Sequence, residues 1–263
     1  MLRALSIAAT GGRAMMREVD TISNNLANVT TTGYKRTRAN FADLLYQQIQ
    51  RAGFNTPGVS PTGTFFGTGV RLVSTEKIHT QGSLEATERQ FDLAIDGEGF
   101  FRLQLPGGQI GYTRGGNLNV DAQGNLVSAE GFLTEPQFTI PEGSIGVTVD
   151  ATGRIFVIDA ANPDTPTEVG QLTLTRFINP SGLEAIGDNL YVQSAASGQP
   201  IDGQAGDRAQ GFGVVRQGFL EESNVDVVGE LVDLITAQRA FEINTNSIQA
   251  ADEILQTVNN LRR

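Results

Sequence analysis

Apolar or small residues recur near the start of the chain at Leu5, Ala9, Gly12, Met16, Val19 and Leu26, a three-four spacing interrupted only by Ser23. The C-terminal stretch repeats the pattern with Leu231, Leu234, Phe241, Ile248, Leu255 and Val258. A mean step of 3.5 residues keeps one seam turned towards a partner helix, so the spacing predicts coiled-coil helices at both ends. Gln238, Thr245 and Asp252 fall on that seam, and neither helix is expected to be stable as an isolated pair. The first helix is expected over residues 2–29. It should end at Thr30, Thr31 and Thr32, with Gly33 supplying a left-handed cap. Asn24, Asn25 and Asn28 are poor helix formers whose crowding beside the seam points to hydrogen bonds between helices. Ser223 with Asp226 three residues on predicts a capping box opening the second helix.

Between the ends the period changes. A basic entry, Tyr34-Lys35-Arg36-Thr37-Arg38, precedes Phe41, Leu44, Leu45 and Ile49 at a spacing that fits helix or strand. From Phe54 to Gly69, Pro57, Pro61 and several glycines break regular structure and leave Phe54, Phe65 and Phe66 outside any periodic element. Such a segment either folds back on its own domain or contacts another subunit, and the second reading is preferred. From Val70 onward alternation predicts strands, among them Phe91-Leu93-Ile95, Phe100 to Leu105, Gln171 to Phe177, Asn189 to Gln193 and Gly213 to Leu220. Asp121 to Gly124 and Asp150 to Gly153 read as matching hairpin turns, in which Asp bonds its own backbone and Gly takes a positive φ. The chain is therefore read as α+β. Terminal coiled-coil helices (1–33 and 226–263) bracket a linking region with a long loop or hairpin (34–90) and an antiparallel β domain (91–225).

Composition narrows the function more than the fold. The 39% hydrophobic content permits a core, while 31 glycines and no tryptophan favour turn-rich sheet. A net charge of -10 argues against nucleic acid as a partner. Residues 1–51 hold seven Lys or Arg against three acidic residues, so copies could attract one another end to middle. There are no cysteines, and His79 is the single histidine. Thiolate metal sites are thus excluded and a zinc site is implausible, so no cofactor is expected. No Gly-x-Ser-x-Gly elbow or Walker loop occurs. Glu221 and Glu222 read as solvated neighbours rather than an acid pair. No apolar run reaches the length of a membrane span, and the short apolar stretch Ala4 to Ala9 is not a convincing signal peptide.

Three local motifs then become specific. Ile22-Ser23-Asn24-Asn25-Leu26-Ala27-Asn28-Val29 through Thr32-Gly33-Tyr34-Lys35 resembles the N-terminal signature of bacterial flagellar rod and hook axial proteins. Ser223-Asn224-Val225-Asp226 through Gln238-Arg239-Ala240-Phe241-Glu242 and Asn244 resembles their C-terminal signature, and Phe91 to Phe101 resembles the motif opening their middle domain. Gly67-Thr68-Gly69-Val70-Arg71, His79-Thr80-Gln81-Gly82 and Gly182 to Tyr191 bring the resemblance nearest to the distal rod branch. Gly12-Arg13-Ala14-Met15-Met16 departs from it, being more basic and less Gln-rich.

The resemblance implies a subunit without catalysis or cofactor, exported by the flagellar type III apparatus without a cleaved signal. It would polymerise into a hollow helical rod across the periplasm. Its partners would be further copies of itself, proximal rod proteins and the hook protein at its ends, and bushing rings around it. The residues expected at assembly interfaces are Leu5, Met16, Val19, Leu26, Asn28, Phe54, Phe65, Phe66, Leu231, Leu234, Phe241, Ile248, Leu255 and Val258. On the residues alone two other classes stay open: a secreted β-rich binding module that dimerises through its end helices, and a cell-wall glycan hydrolase with paired carboxylates.

Overall fold

The computed structural model describes residues 2–50, 63–160 and 162–260. Two long helices, α1 (Leu2–Ala27) and α2 (Val227–Asn260), bracket a succession of β-strands. The chain divides into two compact units. One holds α1, the strands between Thr37 and Lys77, and α2; the other holds residues 28–36 and 78–225.

In the helical unit α1 and α2 lie antiparallel, with Asn25 beside Glu230 and Gly11 beside Asn244. Gly11 lacks a Cβ for a reason of space, since one there would stand 2.7 Å from Asn244 Oδ1. The seam differs from the one predicted. On α2 the buried positions are Glu230, Ala237 and Ala251, with Asn244 half-buried on the same seven-residue step. Leu234, Ile248 and Leu255 are half-buried between them, and Phe241 lies 3.8 Å from where a Gly12 Cβ would be. The buried line thus runs one residue before the one through Gln238, Thr245 and Asp252, with Ala237 and Ala251 alternating with Glu230 and Asn244. A search for large apolar side chains misses them, because close backbone approach favours alanine and glycine. On α1 the buried face runs through Ala8, Gly12, Ile22 and Asn25, whereas Met16 is 49% exposed.

The helix ends also differ in detail. α1 stops at Ala27, and the threonines belong to the turn beyond it. Gly33 has a φ of 68°, but it serves that later turn rather than the helix cap. Asp226, not Ser223, caps α2: its Oδ1 accepts from the Val228 N–H at 3.2 Å, while Ser223 Oγ accepts only from Val225. Completing the unit, Thr37–Asp43 pairs with Val70–Lys77, and Gln47–Gln50 pairs with Thr64–Phe66. The Phe41 to Ile49 segment is therefore extended, and part of the stretch expected to be irregular is strand. Thr64, Phe65 and Phe66 are strong strand formers between two glycines. Phe54 lies outside the described residues.

In the β-rich unit every described strand pairing is antiparallel. A nine-stranded sheet includes Phe100–Gln104, Ile110–Thr113, Thr173–Arg176 and Leu190–Val192, and a three-stranded sheet joins Ser144–Val149, Arg154–Asp159 and Asn162–Gln171. Leu93, Ile95, Phe101, Leu118, Leu174, Phe212 and Val215 are among the side chains that close the main core. The two aspartate turns form as predicted. Asp121 Oδ1 accepts from the N–H groups of Gln123 and Asn125, and Asp150 Oδ1 accepts from those of Thr152 and Arg154. Gly124 and Gly153 close them at φ of 83° and 77°.

Candidate assembly surfaces and a buried ionic node

Large exposed apolar side chains are unevenly shared between the units. Among the described residues all but Ile145, Ile178, Ile186 and Ile201 belong to the helical unit. Val228, Val232, Ile235 and Ile243 run along the outward face of α2, the last 66% exposed. Leu45, Tyr46, Ile49, Phe65 and Phe66 stand on or beside the paired strands, Leu45 being 92% exposed. Exposed apolar side chains grouped in this way are candidates for contacts beyond the chain.

The expected interface residues fall into two groups. Met16, Phe65, Phe66, Leu231, Phe241 and Val258 are exposed; Leu5, Val19, Leu26, Asn28, Leu234, Ile248 and Leu255 are half-buried. The Arg3 guanidinium sits 5.5 Å above the Phe66 ring, a cation–π contact inside the chain. Asn28 Oδ1 accepts from the Thr31 hydroxyl within the turn after α1.

The polar residues on the helix seam are specifically matched. Asn25 is 1% exposed; its Nδ2 donates to Glu230 Oε2 at 3.1 Å and to the Thr37 carbonyl at 2.8 Å. Its Oδ1 accepts from the Thr37 N–H at 2.8 Å. One amide thereby ties α1 to α2 and to the first strand, as the asparagine crowding suggested for this position. Asn24 is exposed.

The β-rich unit contains an ionic node that the sequence reading placed in solvent. Glu221 is fully buried and receives Lys35 Nζ on Oε1 at 2.5 Å and Arg114 Nη1 on Oε2 at 3.2 Å. Lys35 also donates to the Thr80 carbonyl, Arg114 donates to the carbonyls of Ile95 and Gly97, and the Gly82 N–H reaches Glu221 Oε1. Both cations of this cluster meet the carboxylate and backbone carbonyls, which is what makes buried charge tolerable. Burial pushes the Lys35 ammonium below its ordinary range, with Glu221 opposing that shift. Burial likewise lowers Arg114, again opposed by Glu221. Glu222, one residue on, is exposed. A strand sends neighbouring side chains to opposite faces, so only Glu221 could point inward.

Asn224 continues the arrangement. Its Oδ1 accepts from the Arg36 N–H at 2.7 Å and its Nδ2 donates to the carbonyls of Ile78 and Thr80. Residues 33–36, which follow α1 in sequence, and 221–224, which precede α2, are thus locked to the same stretch 78–82. The Gly33 N–H donates to the Glu221 carbonyl at 2.7 Å, adding a direct bond. His79 is half-buried and meets the rings of Phe100 and Tyr191 edge-on at 5.5 and 5.3 Å. Among the described residues no group of three His, Asp or Glu side chains is placed to hold a metal ion, and no helix is long and apolar enough to cross a membrane.

Ala237, Ala251, Glu230, Lys35, Arg114 and Glu221 were not among the expected site residues. The seven-residue step from Glu230 through Ala237 and Asn244 to Ala251 was the available signal for the seam. No comparable periodicity marks the ionic node, whose members are scattered over the sequence.

Three family models match the chain: "Flagella basal body rod protein" over residues 5–35, "Flagellar hook protein FlgE/F/G D1 domain" over 94–157, and "Flagellar basal body rod FlgEFG protein C-terminal" over 216–261. The chain is 47% identical to the flagellar basal-body rod protein FlgG of Buchnera aphidicola subsp. Acyrthosiphon pisum, with 99% of this chain and 100% of the relative covered. It is 44% identical to that of Borreliella burgdorferi and 36% identical to that of Bacillus subtilis, with both chains covered in full each time. Similarity at this level over full length, with matched segments that include both helices and the start of the β-rich unit, establishes that the chain belongs to the flagellar basal-body rod protein family, in its distal rod branch.

Proposed function

We propose that the chain is a non-catalytic structural subunit of the flagellar distal rod, which polymerises into a rigid hollow helical shaft and carries torque from motor to hook. The observation that carries this reading is the concentration of exposed large apolar side chains in the helical unit. In the assembled state α1 and α2 would pack as coiled-coil elements of an inner tube (1–33 and 226–263). Residues 34–90 would form a linking domain with a long loop or hairpin, and the β domain (91–225) would face outward. Heterologous contacts repeated from copy to copy propagate as a filament rather than closing into a ring. α2, at about 1.5 Å per residue, is roughly 50 Å long and would touch several neighbours in such a lattice.

The rod would cross the periplasm, its subunits having left the cell through the flagellar type III apparatus without a cleaved signal. Proximal rod proteins and the hook protein would meet its ends, and bushing rings would surround it. The exposed interface residues Met16, Phe65, Phe66, Leu231, Phe241 and Val258 are the proposed points of contact between copies, joined by half-buried Leu5, Val19, Leu26, Asn28, Leu234, Ile248 and Leu255, and by Phe54. Negative-stain electron microscopy of purified protein at rising concentration tests the reading. Tubes of uniform diameter are expected; a closed oligomer of fixed size, or a monomer at all concentrations, would count against it.

A further inference from the structure

We propose that the groove between α1 and the Val70–Lys77 strand receives the outward face of α2 from a second copy, lying antiparallel to α1. The proposal rests on the assembly function above and specifies where one copy grips the next. Two adjoining hollows of about 430 and 440 Å³ run along this side of α1 and share Arg17, Asp20 and Leu72. Exposed Met16 and Leu72 give the groove an apolar lining. Arg13, Arg17 and Arg71 make it basic, against the single acid Asp20.

The outward face of α2 complements this surface. Val228, Val232, Ile235 and Ile243 form an apolar stripe turned away from the buried line of Glu230, Ala237 and Ala251. The helix as a whole is acidic, with Glu230, Asp233, Glu242, Asp252 and Glu253 against Arg239.

Charge order fixes the direction of docking. Arg17 Nη1 stands 3.7 Å from Asp20 Oδ2, and Arg239 Nη1 stands 4.0 Å from Glu242 Oε2; all four side chains are mostly exposed. In both pairs the cation precedes the acid by three residues. A parallel neighbour can match at most one of the two charges in each pair, and in the register that superposes the pairs it sets cation against cation and acid against acid. An antiparallel neighbour sets Arg17 against Glu242 and Asp20 against Arg239 in one register, with Met16 opposite Ile243. Exposed pairs within a helix contribute little by themselves, so exchanging partners across an interface sacrifices little. Like charges brought together there are strongly disfavoured.

The test uses flagellated cells in which this chain is the only copy. Three variants are compared: Arg17→Glu with Asp20→Arg, Arg239→Glu with Glu242→Arg, and all four changes together. Swimming is scored in each, and so is the intermolecular disulfide formed on mild oxidation when Met16→Cys and Ile243→Cys are added to this cysteine-free chain. Either pair alone should abolish swimming and cut the cross-link roughly tenfold or more. The four-residue variant should recover both. If cells lacking the chain swim normally, the assembly function fails and takes this contact with it. If the chain is required but the four-residue variant does no better than the pairs, or the pairs behave like the unsubstituted chain, the contact is overturned and the assembly function stands.

Discussion

In the β-rich unit the bulkiest apolar side chains are the best hidden: Leu93, Ile95, Leu103, Leu118 and Leu174 are at most 1% exposed. Among the described residues of the helical unit the buried apolar positions are Ala8, Ala14, Ile22, Ala39, Ala237 and Ala251, of which Ile22 alone has a large side chain. Its valines, leucines and isoleucines stand largely outside. The first unit closes most of its hydrophobic surface by itself, with Ile145, Ile178, Ile186 and Ile201 left exposed. The second uses small residues where its helices meet and leaves many of its large residues exposed, as the proposed contacts between copies would require. Their buried polar groups differ too: Glu221 meets two cationic side chains, Lys35 and Arg114, whereas the buried Glu230 meets the neutral amide of Asn25.

The comparison breaks most visibly at Glu221. Glu221→Ala leaves Lys35 and Arg114 buried without their carboxylate and should cost about 3–5 kcal/mol. Glu222→Ala, one residue away on the solvent side, should change stability by less than about 0.5 kcal/mol. Urea unfolding at a concentration that keeps the chain monomeric measures both. Equal losses would show that the buried cluster is not what distinguishes the two positions.

A second contrast concerns the two kinds of apolar residue. Leu174→Ala removes a fully buried side chain from the core of the β-rich unit and should destabilise the monomer by about 2–5 kcal/mol. Val232→Ala should leave monomer stability within about 0.5 kcal/mol and instead raise the concentration needed for assembly. Sedimentation velocity at increasing concentration separates the two effects. A Val232 variant that assembles like the unsubstituted chain would remove the outward stripe of α2 from the proposed interface.

Asn25→Ala should cost about 1–3 kcal/mol, because the Thr37 N–H, the Thr37 carbonyl and Glu230 each lose a partner in a buried place. Hydrogen exchange should quicken at the Thr37 amide while Leu93, Ile95 and Leu174 stay protected. Uniform loss of protection across both units would mean that they unfold as one and that the contrast drawn between them is not thermodynamic.

The parts of this architecture that were legible in sequence are those with local causes. The terminal helices follow from a 3.5-residue period, and the turns at Asp121 and Asp150 follow from an aspartate that bonds its own backbone. The alternation of Phe91, Leu93 and Ile95 points to the strand Leu93–Asp96, although both faces of that strand are buried, Ala94 as fully as Leu93 and Ile95. What escaped depends on residues far apart in sequence. Glu221 reads as one of two adjacent acids until a strand turns it towards Lys35 and Arg114, which lie 186 and 107 positions away. The α2 seam was placed one residue off because Leu231, Gln238 and Thr245 share a period with Glu230, Ala237 and Asn244. The close approach of α1 at Gly11, beside Asn244, selects the line of Glu230, Ala237, Asn244 and Ala251. Among the expected interface residues, exposure distinguishes Met16, Phe241 and Val258 from Leu234, Ile248 and Leu255, a difference that periodicity alone does not carry.

The smallest expected effect concerns pH. Burial holds the folded-state pKa of Lys35 below its ordinary value of 10.5, with Glu221 opposing that shift and Arg114 adding to it. Between the lowered value and 10.5 the unfolded chain binds more protons at this site than the folded one, so the contribution of Lys35 to folding stability rises with pH across that window. The cost of enclosing the charge is fully present below the window and is relieved towards its upper end. Lys35→Met removes this titration and leaves Glu221 with Arg114. The unfolding free energy of the unsubstituted chain minus that of the variant should therefore increase as pH is raised from neutral towards 10.5, in paired urea titrations at fixed ionic strength. Lys77 in the helical unit is also lowered by burial, so Lys77→Met should give a slope of the same sign. A flat or falling difference for Lys35 would mean that its pairing with Glu221 outweighs its burial, and that the node favours the charged lysine in the folded chain.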